Sequence, residues 1–149
     1  MRKRAEREIG PNRQQFFVGY PYAPRLCNRE NLKSQILDAC DALPFEPYFY
    51  DDDFGARPVL DKIFERIEGT AFGVYDLSDG NSNVLIEMGY AFGKRKRVVI
   101  LRQRGGSFEI PSDIQSIERI EYDDLIDLQR KLRAAIKAMT KQGRVAGHK

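Results

Sequence analysis

The chain has 149 residues, 42% of them hydrophobic, enough for one domain with its own core and too few for two. Its 25 basic and 22 acidic residues nearly cancel to a net +3, so nucleic acid is not an expected partner. No apolar run approaches the ~20 residues of a membrane span, and Met1 to Gly10 holds no signal-like stretch, so a cytoplasmic protein without membrane contact is expected.

Met1 to Gln14 is charged and reads as an extension, with basic residues at Arg2, Lys3, Arg4 and Arg7. Phe16 to Gly19 is the first predicted strand, followed by the loop Tyr20 to Asn28. Cys27 lies in that loop and Cys40 in the helix after it, a cysteine usage that suits a reducing compartment better than a disulfide framework. That helix carries Leu32, Ile36, Leu37, Cys40 and Leu43 on one face and is expected to run to Pro44. Pro47 to Tyr50 reads as a second strand, closed by Asp51-Asp52-Asp53 and Gly55. Pro58 suits the first turn of the next helix, where Val59, Leu60, Ile63, Phe64 and Ile67 recur at helical spacing.

Ala71 to Tyr75 is a third, buried strand, and Asp76 to Gly80 is the turn after it. A helix from about Asn81 to Gly93 buries Val84, Leu85, Met88, Ala91 and Phe92, with Lys94 to Arg97 solvated at its C-terminus. Val98 to Leu101 is nearly all aliphatic, as suits a central parallel strand. Ile117 to Tyr122 alternates weakly and suits an edge. Asp123 or Asp124 then caps a last helix with a stripe of Leu125, Leu128, Leu132, Ala135, Ile136 and Met139.

Strands alternating with helices predict one α/β domain with a central, mostly parallel, five-stranded sheet covered on both faces. The expected organisation is an extension over 1–14, this domain over 15–141 and a loose tail over 142–149. Ligands of such sheets sit beyond the carboxyl ends of the strands, which nominates Tyr20–Cys27, Asp51–Gly55 and Asp76–Asn83. On a helical wheel Glu87 falls at the border of the apolar arc, beside Asn83 and Tyr90, and Gly89 leaves space near it.

The stretch Gly73-Val-Tyr, a polar turn, Glu87-Met-Gly-Tyr-Ala and an aliphatic strand resembles the nucleoside 2-deoxyribosyltransferases. It is similar also to nucleotide N-glycosidases and to Toll/interleukin-receptor-like domains that cleave NAD. The resemblance implies a flavodoxin-like or Rossmann-like three-layer sandwich. It also implies cleavage of an N-glycosidic bond in a nucleoside, nucleotide or related molecule, by hydrolysis or transfer.

In those enzymes the motif glutamate attacks the anomeric carbon, a role that falls on Glu87. A second carboxylate, which handles the base, falls on Asp61. The family's acidic residue six positions before the glutamate is replaced here by Asn81. Tyr20 and Tyr22 are the candidates for stacking on the base, and Asp76, Ser78, Asn81 and Asn83 for binding the rest of the substrate. The transferases also imply a homodimer or larger assembly, and here the outward Ile86 is the residue to be covered.

The chemistry of the residues agrees. A departing base leaves positive charge on the anomeric carbon, which a carboxylate can stabilise or trap. The base itself needs a proton or a hydrogen-bond donor. His148, in the tail, is the only histidine, so a histidine-activated nucleophile is not expected. Asp51-Asp52-Asp53 alone does not make a metal site, and neither a metal nor a cofactor is expected. The remaining alternative is a domain that binds a nucleotide signal without turning it over.

Overall fold

A computed structural model describes residues 14–21, 24, 27–50 and 60–146, with side chains to residue 141. Five strands form the sheet: β1 (Gln14–Gly19), β2 (Phe45–Tyr48), β3 (Phe72–Asp76), β4 (Arg97–Gln103) and β5 (Arg119–Tyr122). Every neighbouring pair is parallel, in the order β2-β1-β3-β4-β5, so the expected α/β architecture is present and the sheet is parallel throughout.

Among the described residues four α-helices cover it: α1 (Arg29–Ala39), α2 (Leu60–Gly69), α3 (Ser82–Gly93) and α4 (Leu125–Ala146). Side chains alternate across each strand, so one apolar run feeds two cores. Phe16, Val18, Phe72, Val74, Val99 and Leu101 meet Leu32 and Ile36 of α1 and Leu128, Leu132 and Ile136 of α4. Phe17, Tyr75, Val98 and Ile100 meet Ile63 and Ile67 of α2 and Val84, Met88 and Ala91 of α3. The result is a three-layer sandwich.

Local chemistry sets several boundaries. The α1 helix ends at Ala39, four residues before Leu43, because Cys40, Asp41 and Leu43 donate to carbonyls three residues back and Ala42 takes φ 61°. The β2 strand begins two residues earlier than expected, leaving Phe49 and Tyr50 beyond its end yet buried. Gln14, expected in the extension, opens β1 and pairs with Phe45. Asp124 is the cap of α4, accepting from Asp127 N at 2.8 Å, while Asp127 accepts from Asp123 N at 2.9 Å. That helix runs through Gly143 to Ala146, past the start of the expected tail. Pro58, Val59 and Asp51 to Gly55 lie outside the described residues.

Consecutive connections lead from β1 outward to β2, then back across β1 to β3. The sheet therefore changes direction between β1 and β3, and the crevice beyond their carboxyl ends is where such folds take ligands.

Candidate active site

Glu87 sits on the inner face of α3, at the carboxyl end of the β1–β3 seam. The helix begins where it does because Asn81 caps it, its Oδ1 accepting from Asn83 N at 3.0 Å and Val84 N at 3.2 Å. From that start Glu87 falls in line with Val84, Met88 and Ala91, the buried side of the helix. The carboxylate is 3% exposed, deeper than the border position expected from the wheel. Its Oε1 has no hydrogen-bond partner among the described residues. Burial pushes its pKa up to about 8, with no charged group contributing.

The backbone of β1 makes room for it. A Cβ on Gly19 would stand 3.1 Å from Glu87 Oε1 and 2.5 Å from Tyr75 Cδ1. Gly19 is the register partner of Tyr75. Gly89, expected to give Glu87 space, faces the open side of α3 with nothing within 4 Å. The space comes from β1 instead. Tyr75 and Gly19 are the residues that sequence reasoning missed as neighbours of Glu87. Their signal was a glycine closing a buried strand and a tyrosine two residues after another glycine.

The other predicted residues fall in three places. Asn83 is exposed on the first turn of α3, one helical turn before Glu87 and on its side of the helix, at the rim of the crevice. Asp61 is exposed on the first turn of α2, where its charge acts on Tyr90. Tyr22 lies outside the described residues.

Asp76 and Tyr20 point away from Glu87. Asp76 follows Tyr75 in β3 and so faces the opposite side of the sheet. There it accepts from Tyr122 Oη at 2.7 Å and from Ser78 N at 2.9 Å. Burial raises its pKa, opposed by those hydrogen bonds, and burial with the charge of Asp76 raises that of Tyr122. Ser78 is buried in the same group and accepts from Gln103 N at 2.7 Å, tying the turn after β3 to β4. Cys27 is half-buried nearby, its thiol pushed up to about 11 by burial and by Asp76 and Asp79. Such a thiol stays neutral and unreactive. Tyr20 is 1% exposed, edge-on to Phe49 and under the Arg29 guanidinium at 4.1 Å, within the α1–α4 core.

No group of three or more His, Cys, Asp or Glu side chains converges on a metal-sized point among the described residues. No described helix is long and apolar enough to cross a membrane. An open, polar hollow of about 570 Å³ at Gln14, Glu68, Thr70 and Lys96 lies at the amino ends of the strands, the opposite end from Glu87. It holds none of the chemistry described above.

A parallel sheet of this order, with a buried carboxylate at its change of direction, defines a flavodoxin-like α/β domain. Residues 26–124, more than half of the chain, match the family described as "CAP12/Pycsar effector protein, TIR domain", and the chain belongs to that family of Toll/interleukin-receptor domains. Among solved structures it is similar to the CMP N-glycosidase BcmB of Clostridium botulinum, with a TM-score of 0.57 and 14% identity over 80% of this chain and 98% of that one. That likeness is one of fold. No curated protein matches the chain.

Proposed function

We propose that this protein cleaves the N-glycosidic bond of a nucleotide-class substrate, a nucleoside, a nucleotide or NAD, with Glu87 as the carboxylate at the anomeric carbon. The observation that carries this reading is a buried carboxylate oxygen with no hydrogen-bond partner among the described residues, at the seam where this fold takes ligands. A buried carboxylate oxygen left without a partner destabilises the empty protein, which gives it reason to be kept for a ligand. As the base departs, the sugar becomes cationic beside Glu87. The base leaves with the bonding electron pair, and the sugar's charge favours the ionised carboxylate, whose proton passes to the leaving base or to water. The carboxylate then stabilises the sugar or bonds to it until water or a second base takes it.

Asn83, at the rim, meets the sugar or phosphate, and Asp61 meets the base. On this reading Asp61→Asn slows substrates with poor leaving bases far more than nitrophenyl glycosides; equal slowing of both removes Asp61 from that role. Asp76, Ser78 and Asn81 act on the site through the loop and helix start they hold, and Tyr20 through the core. The family description favours an effector role, and NAD is its best-suited substrate, because a pyridinium base already carries the positive charge that bond cleavage removes. The free Cys27 and Cys40 fit a cytoplasmic setting.

The protein works as a homodimer or larger assembly through the outer face of α2 and α3. Leu60 and Ile86 are 50% and 51% exposed there, each one helical turn before the stacked pair Phe64–Tyr90.

The test is incubation with a panel of nucleosides, nucleotides including CMP, and NAD, read by chromatography for free base. Release from one class, absent in Glu87→Gln, supports the reading. Tight binding of a nucleotide with no release would make this a binding domain.

A further inference from the structure

Two buried side-chain atoms on the α2–α3 side of the sheet lack a hydrogen-bond partner among the described residues, Glu87 Oε1 and Tyr75 Oη. They belong to side chains that meet over a pair of glycines. A Cβ on Gly19 would stand 2.5 Å from Tyr75 Cδ1, and one on Gly73 would stand 2.6 Å from Tyr75 Cε2 and Oη. Gly19 lies opposite Tyr75 on β1, and Gly73 precedes it by one pleat on the same face of β3. The ring therefore lies flat across the β1–β3 seam, in the space that two side chains would otherwise fill.

One edge of that ring and Glu87 Oε1 crowd the same point above Gly19. The ring's hydroxyl is at the other end, over Gly73. An aromatic edge carries partial positive charge, so it complements a carboxylate oxygen without offering it a hydrogen bond. Water is excluded from beneath Glu87, because Gly19 and the fully buried ring fill the floor.

We propose that Tyr75 is a positioning residue for Glu87, its ring forming the dry floor that orients the carboxylate toward the mouth of the crevice. This rests on Glu87 being the working carboxylate. The phenol hydroxyl takes no part, since it points away from Glu87.

Among the described residues, no other group competes for this effect. Burial is the sole cause of Glu87's raised pKa. From β3 the titratable neighbour is Tyr75 itself, kept neutral by burial and by the charge of Glu87. On α2, Asp61 and Glu68 act on Tyr90. Arg97 and Arg102 of β4 pair with Glu118 and Glu121. From β1 come the backbone of Gly19 and the ring of Phe17, neither of them titratable.

The test is a carbon-13 NMR titration of the glutamate carboxyls, with the Glu87 signal assigned by its loss in Glu87→Gln, alongside the pH profile of turnover. The expected wild-type midpoint is about 8, raised by burial. Tyr75→Phe keeps that midpoint and loses no stability, because it removes a buried hydroxyl that pairs with nothing among the described residues. In Tyr75→Ala water reaches the carboxylate, the midpoint falls below about 6 toward the usual ~4.3, and kcat drops roughly tenfold or more with little change in KM. Tyr75→Leu keeps an apolar side chain on the strand but uncovers part of the floor, so it lowers the midpoint less, in the same direction, and carries the test should Tyr75→Ala not fold.

A wild-type midpoint in Tyr75→Ala, or in Tyr75→Leu where Tyr75→Ala does not fold, overturns the proposal, as does a Tyr75→Phe protein that shifts as far as Tyr75→Ala. The titration is read without turnover, so these failures are distinct from failure of the catalytic reading, which shows as full turnover in Glu87→Gln.

Discussion

Glu87 joins two properties that pull against each other, a site where a carboxylate is useful and a burial that makes its charge expensive. Its folded pKa, about 8, lies above the ~4.3 of an unfolded glutamate. Between those values the folded protein holds a proton that the unfolded chain has released. The stability tied to Glu87 is therefore full below ~4.3 and lost as pH rises toward 8, at roughly 1.4 kcal/mol for each pH unit. Glu87→Gln has no such loss. Its melting temperature relative to wild type should rise steadily from pH 5 to pH 8.5, followed by calorimetry; a difference that stays flat with pH would mean that Glu87 is ionised and well solvated. The motif nominated this residue for the candidate site, but the depth of its burial was not legible. That depth depends on Gly19 lying opposite Tyr75, a register between strands far apart in the chain. Asp76 shows the converse. Its place beside Tyr75 fixed it on the other face by strand alternation alone, yet only the packing of α3 tells which face holds the site.

Elements were more legible than their ends. The aliphatic β4 and the apolar stripes of α1 and α4 stand where periodicity puts them, because burial on both faces leaves few other solutions. The end of α1 and the start of β2 were missed because short-range turn hydrogen bonds around Ala42, with its positive φ, decide them. Asn81 is the element-scale counterpart of Glu87, since its cap sets where α3 begins and so which face carries the carboxylate. Asn81→Ala should cost about 1 kcal/mol of stability in a urea titration, the usual worth of such a cap. A loss near zero would show that the cap does not hold the helix start, and would return Asn81 to the substrate.

At the scale of the whole molecule, the candidate site lies beyond the carboxyl ends of β1 and β3, within the sheet and away from its β2 and β5 edges. Helices cover both faces, and ion pairs such as Arg97–Glu118 and Arg104–Asp123 stud the β4–β5 side. Large apolar side chains remain exposed at Leu60 on α2, Ile86 on α3 and Ile126 on α4, and the proposed assembly uses the first two. Light scattering at micromolar concentration should give a mass above the 17.2 kDa monomer for wild type and a lower mass for Ile86→Lys, since a lysine buried without a partner costs several kcal/mol. A monomeric wild type, or an Ile86→Lys protein that associates as well, would contradict assembly through this face. The central claim is that Glu87 performs the chemistry. Its most direct test is the rate at which purified Glu87→Gln releases free base from the substrate that the wild type cleaves. The account predicts a fall of at least about a thousandfold in a protein that remains folded, and a folded variant keeping more than about a tenth of the wild-type rate would contradict it.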